Sequence, residues 1–268
     1  MKRIGVISGT FNPINDQDII VAKEYLKALN LDQIAFELID NDNLIQRINM
    51  VKLAIKPYRK LELLTKRSKK DIAYIELNDA RFDHGLMSDD FSKIPDVVAH
   101  YAIDNCLYID GIMHRLVSEK RYRHVQSVAN IASEIAEHYG LNVYHAKVAG
   151  YLHDLTKEYP KEEQKRLIMI YFPTYADRSP KIFHQYTAGI VAKTRFKIND
   201  SNIIDAISNH VNGTDSKLLS RIIFCCDKID DTRGFDNAYL KQLCIDDMDQ
   251  AYLIIRNKQI EHLSRSIK

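Results

Sequence analysis

The sequence predicts an α+β chain in two parts, a small α/β unit over residues 1–108 followed by an all-α domain over residues 109–268. Three observations carry this. The first 80 or so residues alternate strand-like and helix-like runs; a polar stretch over 78–93 interrupts the alternation; and from about residue 94 onward apolar residues recur at helical spacing without a further strand signal. The boundary is marked by this change of period, since no glycine- or proline-rich linker separates the parts. A chain of 268 residues, 46% of them hydrophobic, can bury one large core or two small ones, and the distribution of motifs favours two.

Residues 3–8 read as a short buried strand, and Gly9-Thr10-Phe11-Asn12-Pro13 supplies the turn into an amphipathic helix over 16–29. Runs 33–39 and 71–77 read as two further strands, flanking a helix over 43–55. The second part carries helical periodicity over 109–119, 121–139, 142–156, 161–171, 181–195, 200–211, 215–229 and 236–259. The long last segment from Asp236 offers a face for a homodimer.

Charge excludes some partners. With 38 basic and 36 acidic residues the net charge is +2, too balanced a field to call for nucleic acid or a membrane surface, and the basic run over 66–70 reads as a solvated turn. The N-terminal apolar run is too short for a secretory segment and no stretch approaches the roughly 18 apolar residues of a membrane span, so a cytoplasmic location is expected. Cys106, Cys225, Cys226 and Cys244 show no metal-type pairing and read as free buried thiols.

The chemistry sits in His124, His153-Asp154, His184, His210 and Asp227. Each lies beside an apolar stripe at helical spacing, where an unpaired polar side chain would be costly to bury. A lone histidine in such a place is most often a satisfied hydrogen-bonding residue. Several separate helices each offering such a ligand, without cysteine among them, instead make the donor set of a catalytic metal centre rather than of a structural zinc knot. Such nitrogen and oxygen donors suit iron, manganese, cobalt or zinc. Lys157, three residues after Asp154 and four after His153, falls on the same face, where a cation neutralises phosphate. His84, His100, His114, His138, His145 and His262 have no comparable setting and read as surface or structural.

The order His, His-Asp, His, His, Asp, with Lys157 beyond, resembles the HD-domain metal-dependent phosphohydrolases. More narrowly, Arg121-Tyr122-Arg123-His124, His153-Asp154-Leu155-Thr156-Lys157, His184-Gln185-Tyr186-Thr187-Ala188-Gly189, His210-Val211-Asn212-Gly213 and the run from Asp227 to Arg233 are similar to the YqeK type over residues 112–260. The resemblance implies an all-helical HD domain with a two-iron centre that cleaves diadenosine tetraphosphate symmetrically into two ADP. It implies that His124, His153 and Asp227 hold one ion, that His184 and His210 hold the other, and that Asp154 bridges them. Two ions about 3.5–4 Å apart would then share the hydroxide that attacks phosphorus. Lys157 and Arg233 would stabilise charge on the phosphate oxygens, with Gly213 beside the substrate. Read on its own, an arginine after an acidic turn is a surface ion-pair former, and that alternative for Arg233 stays open.

The opening Ile7-Ser8-Gly9-Thr10-Phe11-Asn12-Pro13-Ile14-Asn15 resembles the strand and turn of nicotinate-nucleotide adenylyltransferases, where a glycine-threonine turn brings backbone amides to a phosphate. Arg47, Met50 and the segment from Ile94 to Tyr108 resemble helices of the same family. This implies a small, truncated Rossmann-like unit with a degenerate nucleotide site at Gly9, Thr10, Phe11, Asn15 and Asp18. Asn15 and Asp18 stand where that family carries two histidines that stabilise the transferring phosphoryl group. Asparagine brings no positive charge and aspartate repels a triphosphate. Residues 78–84 likewise replace the expected serine- and threonine-rich phosphate loop. The N-terminal part is therefore expected to be a scaffold for stability or partner binding. Adenylyl transfer to nicotinate mononucleotide, or nucleotide binding by the whole chain without turnover, are the alternatives.

Overall fold

A computed structural model describes residues 1–39, 43–68, 71–82, 89–234 and 236–265, in two compact units, Met1–Tyr101 and Ala102–Lys268. Within the polar stretch 78–93, residues 83–88 and with them His84 lie outside the described residues, as do Lys69 and Lys70 of the basic run.

The first unit runs β1 (Lys2–Gly9), α1 (Asp16–Ala28), β2 (Gln33–Leu38), α2 (Leu44–Ile55), β3 (Leu61–Leu63) and β4 (Ile72–Glu76), and α3 (Asp96–Asp104) runs across the division. Among the described residues the strands form one parallel sheet of order β3-β2-β1-β4, with Val6 opposite Ala35 on one side and Glu76 on the other. Ile4, Val6, Ile7, Ile34, Ala35 and Phe36 are all buried, the near-continuous apolar run of strands covered on both faces. β3 was not foreseen. Its three residues, Leu61-Glu62-Leu63, are too few to show a period. Parallel strands bring Ser8, Glu37 and Glu76 to the same, C-terminal, edge of the sheet. There Ser8 donates to Glu37 at 2.8 Å, and Arg67 pairs with Glu37 at 2.7 Å and with Glu76 at 2.5 Å.

The second unit is helical: α4 (Ile109–Leu116), α5 (Glu119–His138), α6 (Val143–Leu152), α7 (Lys161–Tyr171), α8 (Phe183–Arg195), α9 (Ser201–Asn209), α10 (Leu218–Ile229), α11 (Ala238–Asp246) and α12 (Met248–Arg265). Two of the expected helical runs differ most from their sequence-based bounds. The run expected over 142–156 stops at Leu152, and the chain continues in tight turns closed by Leu155 N–H to Leu152, Lys157 N–H to Asp154 and Tyr159 N–H to Thr156. The Thr156 hydroxyl, tied to the His184 carbonyl at 3.1 Å and to Thr187 at 2.6 Å, holds the segment off the helical path. The run expected over 236–259 breaks at Asp247, whose carboxylate accepts from Gln250 N–H at 3.0 Å and so starts a new helix. The Tyr139 hydroxyl fills the break, donating to the Ile245 carbonyl and accepting from Met248 N–H, both at 3.0 Å.

The cysteines are free, with Cys225, Cys226 and Cys244 buried and Cys106 partly so; burial pushes the Cys106 thiol up to about 12. Among the described residues no helix is long and apolar enough to cross a membrane.

α5 and α6 meet at Gly150, where a Cβ would lie 2.5 Å from the Ala129 Cα and 2.8 Å from its nitrogen. Only glycine allows this approach, and the Gly150 carbonyl also accepts from His153 Nδ1 at 2.7 Å. Gly150→Ala is therefore expected to cost about 1–3 kcal/mol by forcing the helices apart. Urea unfolding measures it, and a midpoint equal to that of the unsubstituted protein would refute the close contact.

Candidate metal centre

The six sequence-predicted donors come from five places on the helical frame, and the structure brings all six together. His124 projects from α5; His153 caps α6 and Asp154 follows it; His184 is the second residue of α8; His210 caps α9; Asp227 lies in the last turn of α10. All are buried, His153 at 0% and Asp227, the most accessible, at 8%. His153 Nδ1 donates to the Gly150 carbonyl and His210 Nδ1 to the Ile207 carbonyl, both at 2.7 Å, so each ring turns its Nε2 inward.

The inward nitrogens gather in two pairs. His124 and His153 have Nε2 atoms 3.2 Å apart, and so do His184 and His210. Asp154 lies between. Its Oδ2 is 3.7 Å from His124 Nε2 and 3.8 Å from His153 Nε2, whereas its Oδ1 is 3.4 Å from both His184 Nε2 and His210 Nε2. Asp227 Oδ1 joins the first pair, 3.3 Å from His124 and 3.7 Å from His153. Donors bound at about 2.1 Å to one ion lie roughly 3–4 Å from each other, so this spacing is that of a coordination shell. Two groups, His124 with His153 and Asp227, and His153 with Asp154 and His210, could each hold a metal ion.

Burial and charge act against each other here. Burial alone would raise the pKa of Asp154, but His153 and His210 outweigh it and hold the carboxyl well below the usual range. Asp227 is likewise depressed, against its burial, by Lys228 and by His124 and His153. Burial, reinforced by His210, pushes His184 down to about 3, and burial lowers His210 as well despite Asp154. His124 goes the other way. Its burial is overcome by the carboxylates of Asp227 and Asp230, and its pKa rises to about 9.

Four cationic side chains meet these groups. Arg121 donates to Asp154 Oδ2, and Lys228 donates to Asp227 Oδ2 at 2.6 Å and to the His210 carbonyl at 2.9 Å. Lys157 is exposed along much of its length, yet its ammonium reaches in to 2.8 Å from His184 Nε2, where desolvation lowers its pKa. Arg233 bonds the Asp227 carboxylate and Asp230 Oδ2, each at 2.9 Å, so it is anchored on the acidic turn with one edge facing outward. A cleft of about 570 Å³ opens above, with Asp154 and Asp227 among its walls together with Arg121, Lys157, Lys181, Lys228, Arg233 and Arg256.

Gly213 is not among the residues lining that cleft. It is buried with φ +57°, a Cβ there would lie 2.6 Å from the Phe224 ring, and its carbonyl accepts from the Tyr252 hydroxyl. Its place is in the turn that carries His210. Gln185 Oε1 accepts from Val211 and Asn212 N–H at 3.3 and 3.2 Å, and Gln259 Nε2 donates to the Val211 carbonyl at 2.9 Å. In the N-terminal unit Gly9 and Phe11 are buried and Thr10 is half-buried, while Asn15 and Asp18 are spent on each other. Asn15 Oδ1 accepts from Asp18 N–H and Asp18 Oδ2 from Asn15 N–H, both at 2.9 Å, closing a capping box at the start of α1.

Sequence reasoning gave no role to Arg121, Lys228 or Asp230. Asp230, fully buried, takes His124 Nδ1 at 3.1 Å and thereby points that ring. Arg121 and Asp230 each lie three residues from a donor on a helix or its end, a spacing that could have flagged them. The bracing by Gln185, Tyr252 and Gln259 had no sequence signal.

The fold and site are those of an HD-domain hydrolase. The HD domain family model matches residues 121–232. A Bacillus subtilis protein named "Bis(5'-nucleosyl)-tetraphosphatase, symmetrical" is 31% identical over 141 residues, 51% of this chain and 76% of that protein. A Mycoplasma genitalium protein named "Probable nicotinate-nucleotide adenylyltransferase/Ap4A hydrolase" is 30% identical over 169 residues, covering 60% of this chain but 48% of that protein, so the chain spans about half the length of that relative. A crystal structure described as a "predicted HD superfamily hydrolase involved in NAD metabolism" from Clostridium acetobutylicum is 26% identical, with a TM-score of 0.56 over 59% of this chain and 86% of that one. The chain belongs to the HD-domain family that includes the symmetrical bis(5'-nucleosyl)-tetraphosphatases.

Two outcomes are expected at the centre. A metal ion takes histidine in its neutral form, so at neutral pH His124, with its pKa near 9, must release a proton on metal uptake, whereas His184 and His210 need not. Apparent metal affinity should then rise as pH climbs toward 9, with proton release on titration in weakly buffered solution; affinity flat between pH 6 and 9 would contradict it. Asp230→Ala should weaken metal binding by about 10–100-fold while leaving helical circular dichroism intact.

Proposed function

We propose that this chain is a metal-dependent phosphohydrolase acting on dinucleoside polyphosphates, cutting diadenosine tetraphosphate symmetrically into two ADP. The observation that carries the reading is Asp154, a buried carboxylate whose two oxygens each face their own histidine pair at the floor of a cation-walled cleft. His124, His153 and Asp227 would hold one transition-metal ion and His184 and His210 a second, with Asp154 shared. Iron is the metal that the family resemblance implies, and manganese, cobalt and zinc suit the same donors. When bound, the pair supplies a water ionised at neutral pH and Lewis-acid neutralisation of phosphoryl charge.

The remaining groups bind and orient. A tetraphosphate bridge carries several negative charges, and Arg121, Lys157, Lys181, Lys228, Arg233 and Arg256 surround the place where it would lie. Lys157, anchored beside His184, is placed to put its ammonium on a non-bridging oxygen of the reacting phosphorus. Ile182, Val211 and Ile260 add apolar wall for a base. Symmetrical hydrolysis consumes one water: its oxygen bonds one β-phosphorus, the bond from that phosphorus to the central bridging oxygen breaks, and that oxygen leaves on the other ADP.

Adenylyl transfer in the N-terminal unit has less support, although a relative's name includes it. Asn15 and Asp18 are tied up in a helix cap, and the edge of the sheet where a nucleotide would sit is occupied by the ion pairs of Arg67 with Glu37 and Glu76. This favours a scaffold.

Protein supplied anaerobically with iron, or with manganese or cobalt, should release only ADP from diadenosine tetraphosphate, as chromatography would resolve. AMP with ATP as the product pair would reject the symmetrical mechanism. His153→Ala and Asp154→Ala should each lower kcat by about three orders of magnitude or more without loss of helical circular dichroism. No pyrophosphate should appear from ATP and nicotinate mononucleotide; its release would revive the transferase reading.

A further inference from the structure

A second cleft, of about 590 Å³, adjoins the first and shares Arg121 and Arg233 with it. Its other walls are the first two turns of α5, with Lys120, Arg123 and His124, and Thr232 from the turn Asp231–Arg233. The two clefts are nearly equal in volume, and both reach the metal donors, the second through His124 and the first through Asp154, His184 and Asp227. The shared arginines stand at the junction, Arg121 on Asp154 and Arg233 on Asp227. The second cleft is also basic. Glu119, its carboxylate, is paired with Arg123 at 2.7 Å; Arg121 and Arg233 are held on Asp154 and Asp227, and Lys120 adds a further positive charge.

This arrangement has the shape of a particular demand. A substrate with two identical ends that is cut at its middle must place the central phosphoanhydride over the donors and send one nucleoside diphosphate arm each way. A single cleft accommodates one arm. Pockets that enclose small ligands run from about 300 to 1,000 Å³, and each of these two has room for a nucleoside diphosphate.

We infer that the second cleft is a nucleoside diphosphate subsite for the far arm of the substrate, so that each turnover ends with one ADP in each cleft. This rests on the proposed hydrolysis of dinucleoside polyphosphates. Lys120 and Arg123, exposed on the first two turns of α5, set specificity for a two-armed substrate: Lys120 meets the phosphates of the arm that the first cleft does not hold, and Arg123 exchanges its contact with Glu119 for them.

Calorimetric titration of the metal-loaded protein with ADP tests it. The unsubstituted protein should bind at least two ADP per chain, and the double variant K120E/R123E should lose one of them while its metal content is unchanged. The same variant should raise KM for diadenosine tetraphosphate by roughly ten-fold. Both side chains are exposed, so the variant folds, and a nucleotide held within residues 1–101 would survive the substitution and be counted separately. Saturation of the unsubstituted protein at one ADP, or retention of every ADP by the variant, would overturn the subsite even if hydrolysis is seen. Failure of hydrolysis with every metal would instead overturn the function on which it rests.

Discussion

Asp154 is a carboxylate taken almost wholly out of water, and isolating such a charge costs several kcal/mol unless its neighbours offset it. Its neighbours are imidazoles from separate helices, with Arg121 on one oxygen. Much of the local architecture follows from keeping that arrangement. α6 stops one residue before His153 so that His153 and Asp154 can face the same interior point, Thr156 ties the ensuing turns to α8, and Gly150 lets α5 come close enough for His124 to meet His153. Three of the four histidines are aimed by what the other ring nitrogen touches: His153 and His210 by the carbonyls of Gly150 and Ile207, and His124 by the carboxylate of Asp230. Orientation is therefore paid for once, in backbone and buried carboxylate contacts, before any ligand arrives.

The two units treat charge differently. In the helical unit, carboxylates are buried and cations stand around them, an arrangement ready for metal below and phosphate above. In the sheet unit, the C-terminal ends of the strands carry Glu37 and Glu76 with Arg67 between them, two carboxylates to one guanidinium, a set that offers a polyphosphate no surplus positive charge.

What was legible in the sequence was what repeats or alternates. The shift from mixed to purely helical period placed the two kinds of structure, and apolar stripes showed which polar residues had no business in a core unless they served one another. His124, His153, Asp154, His184, His210 and Asp227 were readable for that reason. Features decided by single long-range contacts were not. β3 exists because Leu61 and Leu63 pair with β2, which nothing within its three residues announces. The split between α11 and α12 depends on Tyr139, more than a hundred residues earlier in the chain, filling the gap. Gly213 has a packing role that nothing local announced: its small size serves Phe224 and its carbonyl serves Tyr252. Arg233 makes ion pairs on the acidic turn and also lines the cleft.

The bracing of the His210 turn from α12 has a temporal side. Tyr252 and Gln259 reach back to Gly213 and Val211 from α12, which is synthesised after every donor. A chain still emerging from the ribosome would already contain every donor, yet the loop bearing His210 would lack its outer support. Competence is thus withheld until α12 has been made and has docked, and cutting the chain before α12 would loosen a turn some forty residues upstream.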